Sequence, residues 1–354
     1  MRKFAVCSGF LGAGKTSVMM ALSRTTLDNH GKIAMICNDL GSEDLADNRY
    51  AALQGCNVSE LTGSCICYQR ENLAARLDRL FEQEGCELVL SDIPGFGVGA
   101  LDHVYHGLRQ DYPGRYELAP FLVVVEMRTL DYLRNGEDQD LRYILHAQLL
   151  EADLIALNKC DLLSAQALRQ GLSYLENAYP QACALGVSAL TGQGIDTLAR
   201  KLTQGTASLR KPEIGYGGAE FRHAMGRMSE FNCRFFTQVC CNDFDGTAYL
   251  CELAERVRAG VRAAGGEIPH LKLLAWSDDG DFARVDLLGI HRPVEICRPF
   301  ERYHENLAII LNSSAACDAA ALQKVMTTAI SEAAERFRLS DTIFQTEWFD
   351  IGKP

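Results

Sequence analysis

The segment CSGFLGAGKT, residues 7–16, decides the fold, and it directly follows a short apolar run. Its spacing is G-x-x-x-x-G-K-[ST], with Gly9, Gly14, Lys15 and Thr16 at the fixed positions. In such loops, backbone N–H groups converge on phosphates at a helix N-terminus. The spacing predicts a P-loop in which Lys15 reaches the β and γ phosphates and the Thr16 hydroxyl binds Mg²⁺. The predicted phosphate-binding residues are Gly9, Gly12, Ala13, Gly14, Lys15, Thr16 and Ser17.

A second motif, N-K-x-D, follows the apolar run LIAL and consists of Asn158, Lys159 and Asp161. A carboxylate only accepts hydrogen bonds, so Asp161 can bind both N1–H and the exocyclic amine of guanine, a pair that adenine does not offer. The motif therefore predicts a guanine nucleotide, GTP or GDP. About thirty residues further on, the segment VSALTGQG predicts backbone N–H groups at Ser188 and Ala189 that meet guanine O6.

The third motif is D-x-x-G, from Asp92 to Gly95, at the end of the run ELVLSD. It predicts that Asp92 holds Mg²⁺ through water and that the Gly95 amide senses the γ-phosphate. Many fast GTPases have a water-orienting glutamine at the next position, where this chain has Phe96. We therefore expect slow, Mg²⁺-dependent hydrolysis of GTP. The predicted catalytic residues are Lys15, Thr16, Asp92 and Gly95.

Apolar runs alternate with amphipathic segments over the first two hundred residues, which predicts strands buried on both faces and an α/β fold. We expect a P-loop GTPase domain at residues 1–205, with a mostly parallel sheet flanked by helices. A segment rich in small and polar residues predicts a linker at 206–229. Residues 230–354 then predict a smaller α+β domain that binds a client or regulates. The predicted strands are FAVCSG from Phe4, KIAMICN from Lys32, ELVLSD from Glu87, FLVVVE from Phe121, DLIALN from Asp153 and ACALGV from Ala182.

Length, composition and charge limit the classes of protein. The chain has 354 residues, of which 47% are apolar and 23% charged, as in ordinary globular proteins. No long apolar run is present, so we expect no membrane span. The formal net charge of −11 opposes binding to nucleic acid or to an anionic membrane. The chain starts almost at the glycine loop and spreads fourteen cysteines over its length, which predicts a cytoplasmic protein with reduced thiols.

These motifs in this order, with ELTGSCICYQRENL at residues 60–73, resemble the CobW-type GTPases, relatives of the nickel chaperones HypB and UreG. The resemblance covers residues 1 to about 205. It implies that GTP binding and hydrolysis gate metal transfer to a client enzyme or to a cobalamin pathway. It also implies Mg²⁺ as a cofactor, Zn, Co or Ni as the transferred metal, and a homodimer that closes over nucleotide.

The hallmark of that family is C-x-C-C, of which Cys65 and Cys67 match the first two cysteines while Tyr68 stands at the third. In an extended segment residues i and i+2 project to the same side, so we expect both thiolates to face one soft cation. Two packed cysteines near a switch segment are the alternative. Two sulfurs do not complete a tetrahedral site. The remaining ligands could be Cys37, Glu43, Asp44, water or groups of a second protomer.

The segment ICNDLGSEDLAD, residues 36–47, resembles the N-E-F-G switch segment of the family, with Asp39 where glutamate is usual. The resemblance implies that Asp39 approaches Mg²⁺ in the GTP state. Glu43 is a rival for that role, and solvated loop carboxylates are the alternative. Two further pairs are not predicted to bind a metal, namely His103 with His106 and Cys240 with Cys241.

Two functions fit these motifs. In the first, a slow GTPase uses its nucleotide state to deliver a metal or metal cofactor to a client metalloprotein or corrinoid protein. The γ-phosphate would order the segments around Asp39 and Asp92 and reposition Cys65 and Cys67. In the second, the protein carries no metal and is a GTP-gated assembly or reactivation factor, for example for a corrinoid-dependent enzyme. A small-molecule kinase would share the P-loop but would not need N-K-x-D.

Overall fold

The computed structural model describes residues 2–25, 31–38, 40–41, 46–239 and 244–351. The chain forms two compact units. The first unit combines Met1–Ser42 with Ala51–Phe221, and the second combines Glu43–Tyr50 with Arg222–Pro354. The second unit therefore includes a short segment that lies, in sequence, inside the first.

The boundary between the units, at Phe221 and Arg222, falls inside the segment predicted as a linker, residues 206–229. Its first part is attached within the first unit. The N–H of Ala207 donates to the carbonyl of Leu118 at 2.9 Å, and the guanidinium of Arg210 donates to the carbonyl of Ala152 at 2.6 Å. Much of its last part is helical. The predicted domain limits stay a prediction.

The first unit is built on an eight-stranded sheet whose neighbouring strands pair in parallel. Its strands are β1 (Lys3–Ser8), β2 (Lys32–Asn38), β3 (Val58–Leu61), β4 (Cys86–Asp92), β5 (Glu117–Leu118), β6 (Leu122–Glu126), β7 (Leu154–Asn158) and β8 (Cys183–Gly186). Their order is β3-β2-β4-β1-β6-β7-β8, and β5 pairs with β1. The six predicted strands are β1, β2, β4, β6, β7 and β8, whereas the short β3 and β5 were not predicted.

Helices flank this sheet, which confirms the predicted α/β architecture. They are α1 (Lys15–Ser23), α3 (Arg70–Asp78), α4 (Gly107–Asp111), α5 (Met127–Asn135), α6 (Gln139–Glu151), α7 (Ala165–Ala178) and α8 (Ile195–Gln204), while α2 (Ala46–Leu53) and α9 (Ala219–Gly226) each contain residues of both units. Side-chain caps start two of them, because Asp138 accepts the N–H of Asp140 at 3.0 Å and Ser164 accepts that of Ala167 at 3.1 Å. Such caps satisfy N–H groups that have no partner inside the helix.

The register of the sheet places the three nucleotide motifs at one edge. Cys7 of β1 pairs with Asp92 of β4, and Glu126 of β6 pairs with Asn158 of β7. Ligands of open parallel sheets bind outside the carboxyl ends of the strands. The glycine loop, the D-x-x-G segment and the N-K-x-D segment all begin at such ends, so one face of the unit collects them.

The second unit contains a six-stranded antiparallel sheet. Its elements are β9 (Ser229–Val239), α10 (Gly246–Ala263), β10 (His270–Trp276), β11 (Phe282–Leu287), β12 (Glu295–Arg298), β13 (Asn306–Ala315), α11 (Ala319–Phe337) and β14 (Leu339–Asp350). The strand order is β12-β11-β10-β13-β9-β14, and α10 and α11 share one apolar core with the sheet. The predicted α+β class is confirmed. Among the described residues, no helix of either unit is long and apolar enough to cross a membrane.

Charge pairing explains why residues 43–50 belong to the second unit. The carboxylate of Asp47 lies 2.8 Å from the Arg284 guanidinium and also contacts the Lys272 ammonium. The N–H of Ala46 donates to Asn312 Oδ1 at 2.7 Å. Ion pairs this deeply placed are lost at high cost when one partner is removed, so they fix the segment within the unit.

Candidate functional site

The glycine loop after β1 has a backbone that only glycine fits at two positions. Gly9 has φ 138° and Gly14 has φ 89°, values that other residues rarely adopt. A Cβ atom would lie 2.2 Å from the Val124 carbonyl oxygen at Gly9, and 2.5 Å from Asn158 Nδ2 at Gly14. The loop is therefore packed closely against its neighbours at these two glycines, and within it the N–H of Ala13 donates to the carbonyl of Phe10 at 3.2 Å.

The remaining P-loop residues follow at the start of α1. The ammonium of Lys15 donates to the carbonyl of Gly9 at 2.6 Å. Thr16 is buried in the first turn of α1, whereas Ser17 is exposed. The hydroxyl of Thr16 and the carboxylate of Asp92 are oxygen donors, the ligand type that Mg²⁺ prefers. The residues present therefore fit a phosphate chain with its Mg²⁺.

Two residues of the N-K-x-D motif contact the glycine loop. Asn158 Nδ2 donates to the Ala13 carbonyl at 3.0 Å, and the ammonium of Lys159 donates to the Gly12 carbonyl at 3.1 Å. Asp161 is exposed in the one-turn helix Cys160–Leu162. Two residues of the motif thus connect it to the P-loop, and the third presents its carboxylate to solvent.

The loop after β8 meets the same motif. The N–H of Ala189 donates to Asn158 Oδ1 at 3.2 Å, and the N–H of Ser188 donates to the Gln193 carbonyl at 2.9 Å. Both N–H groups that were predicted to meet guanine O6 therefore have partners within the protein. Their contact with the base stays a prediction, and the structure adds a role for Asn158 in joining two loops.

Glu126 is a site residue that the sequence motifs did not reveal. It ends β6, is 8% exposed, and its Oε2 lies 2.9 Å from the Lys159 ammonium. Lys159 has φ 61°, which is a costly conformation for a residue with a side chain. The ion pair and the hydrogen bond to the glycine loop hold Lys159 in that conformation. The only sequence signal was a carboxylate at the end of an apolar strand.

The D-x-x-G segment lies against the glycine loop. A Cβ atom at Gly95 would lie 2.3 Å from Leu11 Cδ2 and 3.3 Å from Leu11 N. Phe96 is 2% exposed, and its ring packs edge-on against Phe10 with the centroids 5.4 Å apart. The side chain after the D-x-x-G motif is thus part of an apolar contact and offers no polar group to a water molecule.

The two cysteines of the family motif come together, but the expected extended conformation is wrong. Cys65 is the N-cap of a one-turn 3₁₀ helix, Ile66–Tyr68, and its Sγ accepts the N–H of Cys67 at 3.4 Å. The two Sγ atoms are 3.0 Å apart and share a hydrogen bond. The cap turns the Cys65 side chain back over the helix. The two thiols therefore meet because of this turn and not because the segment is extended.

The shared hydrogen bond shifts the pKa values of the two thiols in opposite directions. It lowers the pKa of Cys65, because the S–H and N–H of Cys67 stabilise a thiolate there. It raises the pKa of Cys67 well above its ordinary value, and burial raises it further. A thiolate is the metal-binding form of cysteine, so Cys65 is the better prepared of the two ligands.

Asn38, at the end of β2, connects the cysteine turn to Asp92. Its Nδ2 donates to the carbonyls of Leu61 at 2.9 Å and Ser64 at 2.8 Å. Its Oδ1 accepts the N–H of Ile66 at 2.9 Å, while its own N–H donates to Asp92 Oδ1 at 2.6 Å. One buried residue thus joins the predicted Mg²⁺-binding carboxylate to the backbone around the thiols.

A surface cavity of about 480 Å³ opens beside Cys67 and is also lined by His103. Tyr68, at the third cysteine position of the family, is 70% exposed, and its hydroxyl lies 2.6 Å from that of Tyr216. The ring of Tyr216 is 4.5 Å from that of His103. The second histidine of that pair, His106, lies 3.5 Å from the carbonyl of Arg210.

The other candidate metal ligands do not complete a site among the described residues. Cys37 is buried in β2, and in the described ranges no group of three or more His, Cys, Asp or Glu side chains is arranged to hold a metal ion. Five residues considered in the sequence lie outside the described residues, and they are Asp39, Glu43, Asp44, Cys240 and Cys241.

Two curated proteins match about half of this chain. Zinc-regulated GTPase metalloprotein activator 1 of Schizosaccharomyces pombe is 28% identical over 176 residues, which are 46% of this chain and 40% of that protein. The protein of the same name in Dictyostelium discoideum is 26% identical over 211 residues, 50% of this chain and 44% of that one. The chain thus spans less than half the length of these curated relatives.

Two solved structures and one family model were also matched. Zn(II)-bound YjiA GTPase from E. coli has a TM-score of 0.39 at 15% identity, covering 94% of this chain and 98% of that one. HypB from Helicobacter pylori in complex with nickel has a TM-score of 0.42 at 13% identity, covering 58% and 89%. The model of the CobW/HypB/UreG nucleotide-binding domain matches residues 3–183, half of the chain, including all three nucleotide motifs. The resemblance noted in the sequence is confirmed, and the chain belongs to the CobW/HypB/UreG family.

Proposed function

We propose that the protein is a slow, Mg²⁺-dependent GTPase whose nucleotide state gates delivery of a transition metal from Cys65 and Cys67 to a client metalloprotein. Membership of the CobW/HypB/UreG family supports the GTPase part. The names of the matched relatives, zinc-regulated GTPase metalloprotein activators, support a client metalloprotein. A cytoplasmic location and a homodimer belong to the same proposal and rest on the sequence.

Different residues of the first unit would bind the different parts of GTP. The glycine loop and Lys15 bind the phosphates, and Asp161 selects guanine. Mg²⁺, when bound, would neutralise phosphate charge and be held by Thr16 and, through water, by Asp92. The Gly95 N–H would meet the γ-phosphate. Because Phe96 is buried, no side chain at that position orients the attacking water, which supports slow hydrolysis.

The observation that carries the proposal is the position of Asn38 between Asp92 and the cysteine turn. Any movement of Asp92 toward Mg²⁺ alters its 2.6 Å hydrogen bond from the Asn38 N–H. The side chain of Asn38 would pass that change to the backbone around Cys65 through its hydrogen bonds to Ser64 and Ile66. A contact chain of this kind supports coupling between nucleotide state and thiol geometry.

The thiol pair supports a transferable metal. Zn, Co and Ni accept thiolate and imidazole ligands, and the cavity beside Cys67 also contains His103. A site with two thiols and one nearby imidazole leaves room for a ligand of the client. An incomplete ligand set favours release, which a delivery protein requires.

Anaerobic titration with Co²⁺ tests this function, with GTP or GDP bound. The wild-type protein should develop a thiolate-to-cobalt charge-transfer band whose midpoint differs between the two nucleotides. The double variant Cys65→Ser and Cys67→Ser should lose the band, whereas Cys183→Ser, which changes an exposed cysteine elsewhere, should keep it. Asn38→Leu should keep the band and lose its dependence on nucleotide.

A second function, a metal-free GTP-gated assembly or reactivation factor, is supported by one observation. Tyr68 replaces the third cysteine, and no set of three ligands is formed among the described residues. In that case GTP would set the affinity for a partner, and the thiols would only pack. A wild-type protein that binds GTP but shows no cobalt band with either nucleotide would favour this function over the first.

A further inference from the structure

Helix α6 carries two buried polar side chains that belong to none of the nucleotide motifs. Gln148 is 2% exposed and Glu151 is 0% exposed. They lie three residues apart, and side chains at that spacing share a face of a helix. Both contact the segment that follows Asp92, which we call the sensor segment, residues 95–101.

Gln148 holds the start of the sensor segment. Its Nε2 donates to the carbonyl of Gly95 at 3.0 Å and to that of Gly97 at 3.1 Å. Within the same turn, the N–H of Gly97 donates to the carbonyl of Pro94 at 2.7 Å. In a trans peptide the N–H points opposite to the C=O. Fixing the Pro94 carbonyl therefore fixes the direction of the Gly95 N–H, the group proposed to meet the γ-phosphate.

Glu151 holds the end of the sensor segment. Its Oε2 accepts the N–H of Gly99 at 2.9 Å, and its Oε1 accepts the N–H of Leu101 at 2.8 Å. Both carboxylate oxygens are thus used on the backbone of one loop. Together, Gln148 and Glu151 attach two carbonyls and two N–H groups of the sensor segment to a single rigid helix.

Burying the carboxyl of Glu151 costs folding free energy, which a purely structural role does not require. Among the described residues no basic nitrogen lies within ion-pair distance of it, and burial raises its pKa to about 7. A neutral side chain of similar size, such as glutamine, could still accept one of these N–H groups without the cost of burying a charge. Side chains that are costly to bury occur at functional sites. Glu151 is such a side chain, and it is hydrogen-bonded to the sensor segment, which lies in sequence between Asp92 and His103.

We propose that Gln148 and Glu151 are positioning residues for GTP hydrolysis, which hold the sensor segment so that the Gly95 N–H is already aimed at the γ-phosphate. This inference rests on the proposed GTPase function. Pre-aimed donors at developing charge lower a reaction barrier because they need no reorganisation. GDP has no γ-phosphate, so GDP binding would not use the sensor segment.

Single-turnover hydrolysis, together with calorimetric binding of GDP and of a non-hydrolysable GTP analogue, tests the inference. Glu151→Gln and Gln148→Leu should each lower the rate of the chemical step roughly ten-fold or more, because each loses at least one buried hydrogen bond to the segment. Affinity for the GTP analogue should fall, while affinity for GDP stays within about two-fold. Gln181→Leu is the matched control, since Gln181 donates to the Leu149 carbonyl of the same helix at 3.2 Å but does not contact the sensor segment.

The outcomes separate the possibilities. Equal losses of GDP and GTP-analogue affinity, accompanied by a lower unfolding temperature, would assign the two residues to folding alone and overturn the inference. Unchanged hydrolysis in both variants would overturn it as well. If the wild-type protein itself neither binds nor hydrolyses GTP, the proposed function has failed instead. If Gln148→Leu does not fold, the result for Glu151→Gln decides whether the inference holds, because this substitution nearly conserves the side-chain volume.

Discussion

Glu151→Gln also predicts a change in how stability depends on pH. Burial raises the pKa of this carboxyl from an ordinary 4.5 to about 7, although the N–H groups of Leu101 and Gly99 oppose the rise. The negative charge of Asp102 raises the pKa further. The thiols of Cys65 and Cys67 are the other titratable groups that interact with it.

The sign follows from the protons that each state binds. Between pH 4.5 and about 7, the folded protein keeps a proton on Glu151 that the unfolded chain has released. The free energy of unfolding therefore falls as pH rises through this interval, and the loss is complete above the folded pKa. Over this interval the free energy of unfolding falls by about 3 kcal/mol. This is a large fraction of the stability of an ordinary domain.

Urea unfolding of the wild type and of Glu151→Gln, at several pH values from 5 to 8, measures the effect. Relative to the variant, the wild type should lose about 3 kcal/mol over this range. Circular dichroism reports both units, and the two tryptophans, Trp276 and Trp348, identify the transition of the second unit. Glu71→Gln, which changes an exposed glutamate of the first unit, should give a difference that does not vary with pH. A flat difference for Glu151→Gln would mean that the buried carboxyl titrates normally and would refute the reasoning.

The remaining predictions concern single side chains. Lys15→Ala should abolish the heat of GTP binding in calorimetry. Asp161→Asn should shift nucleotide preference toward xanthine, whose 2-oxo group accepts from an amide; an unchanged preference contradicts the assigned base contact. Gly9→Ala should destabilise the first unit by at least ~3 kcal/mol, because its Cβ meets a backbone carbonyl, whereas Gly114→Ala, with open space around it, should cost far less. Asp47→Ala should cost the second unit about 3–5 kcal/mol, seen in its tryptophan transition, because two cations lose their partner.

The fold could be predicted where the pattern of apolar residues within one segment shows that the segment is buried. Strands such as β1 and β7 are apolar at almost every position because both faces are covered, and that pattern needs no partner to be recognised. Strands at a sheet edge gave a weaker signal, since β8 was predicted but β3 was not. The edge strand β14 carries acidic and polar residues among its apolar ones, so its pairing with β9 comes from the neighbouring strand. The assignment of residues 43–50 to the second unit depends on Asp47 and Arg284, which are far apart in sequence.

The phosphate and base motifs of the candidate site could be recognised in the sequence because each consists of residues close together in the chain, and their binding of nucleotide stays a prediction. The supporting residues could not be recognised in this way, since Asn38, Glu126, Gln148 and Glu151 act through contacts with distant segments. In sequence they are ordinary polar positions at the ends of strands or on a helix. The cysteine turn was misjudged for a related reason. A capping thiol and an extended pair have the same spacing, and only the surrounding hydrogen bonds separate them.

The bonding of Asn38 has a consequence for the proposed metal site. The side-chain amide contacts only main-chain atoms, namely the carbonyls of Leu61 and Ser64 and the N–H of Ile66. These contacts hold the backbone on both sides of Cys65 without using a side chain of the turn, whereas the cap inside the turn uses Cys65 Sγ. Substitutions at 67 or 68 would therefore leave the contacts of Asn38 in place. At the proposed metal site, a change of preferred element would need only single exchanges at these two positions.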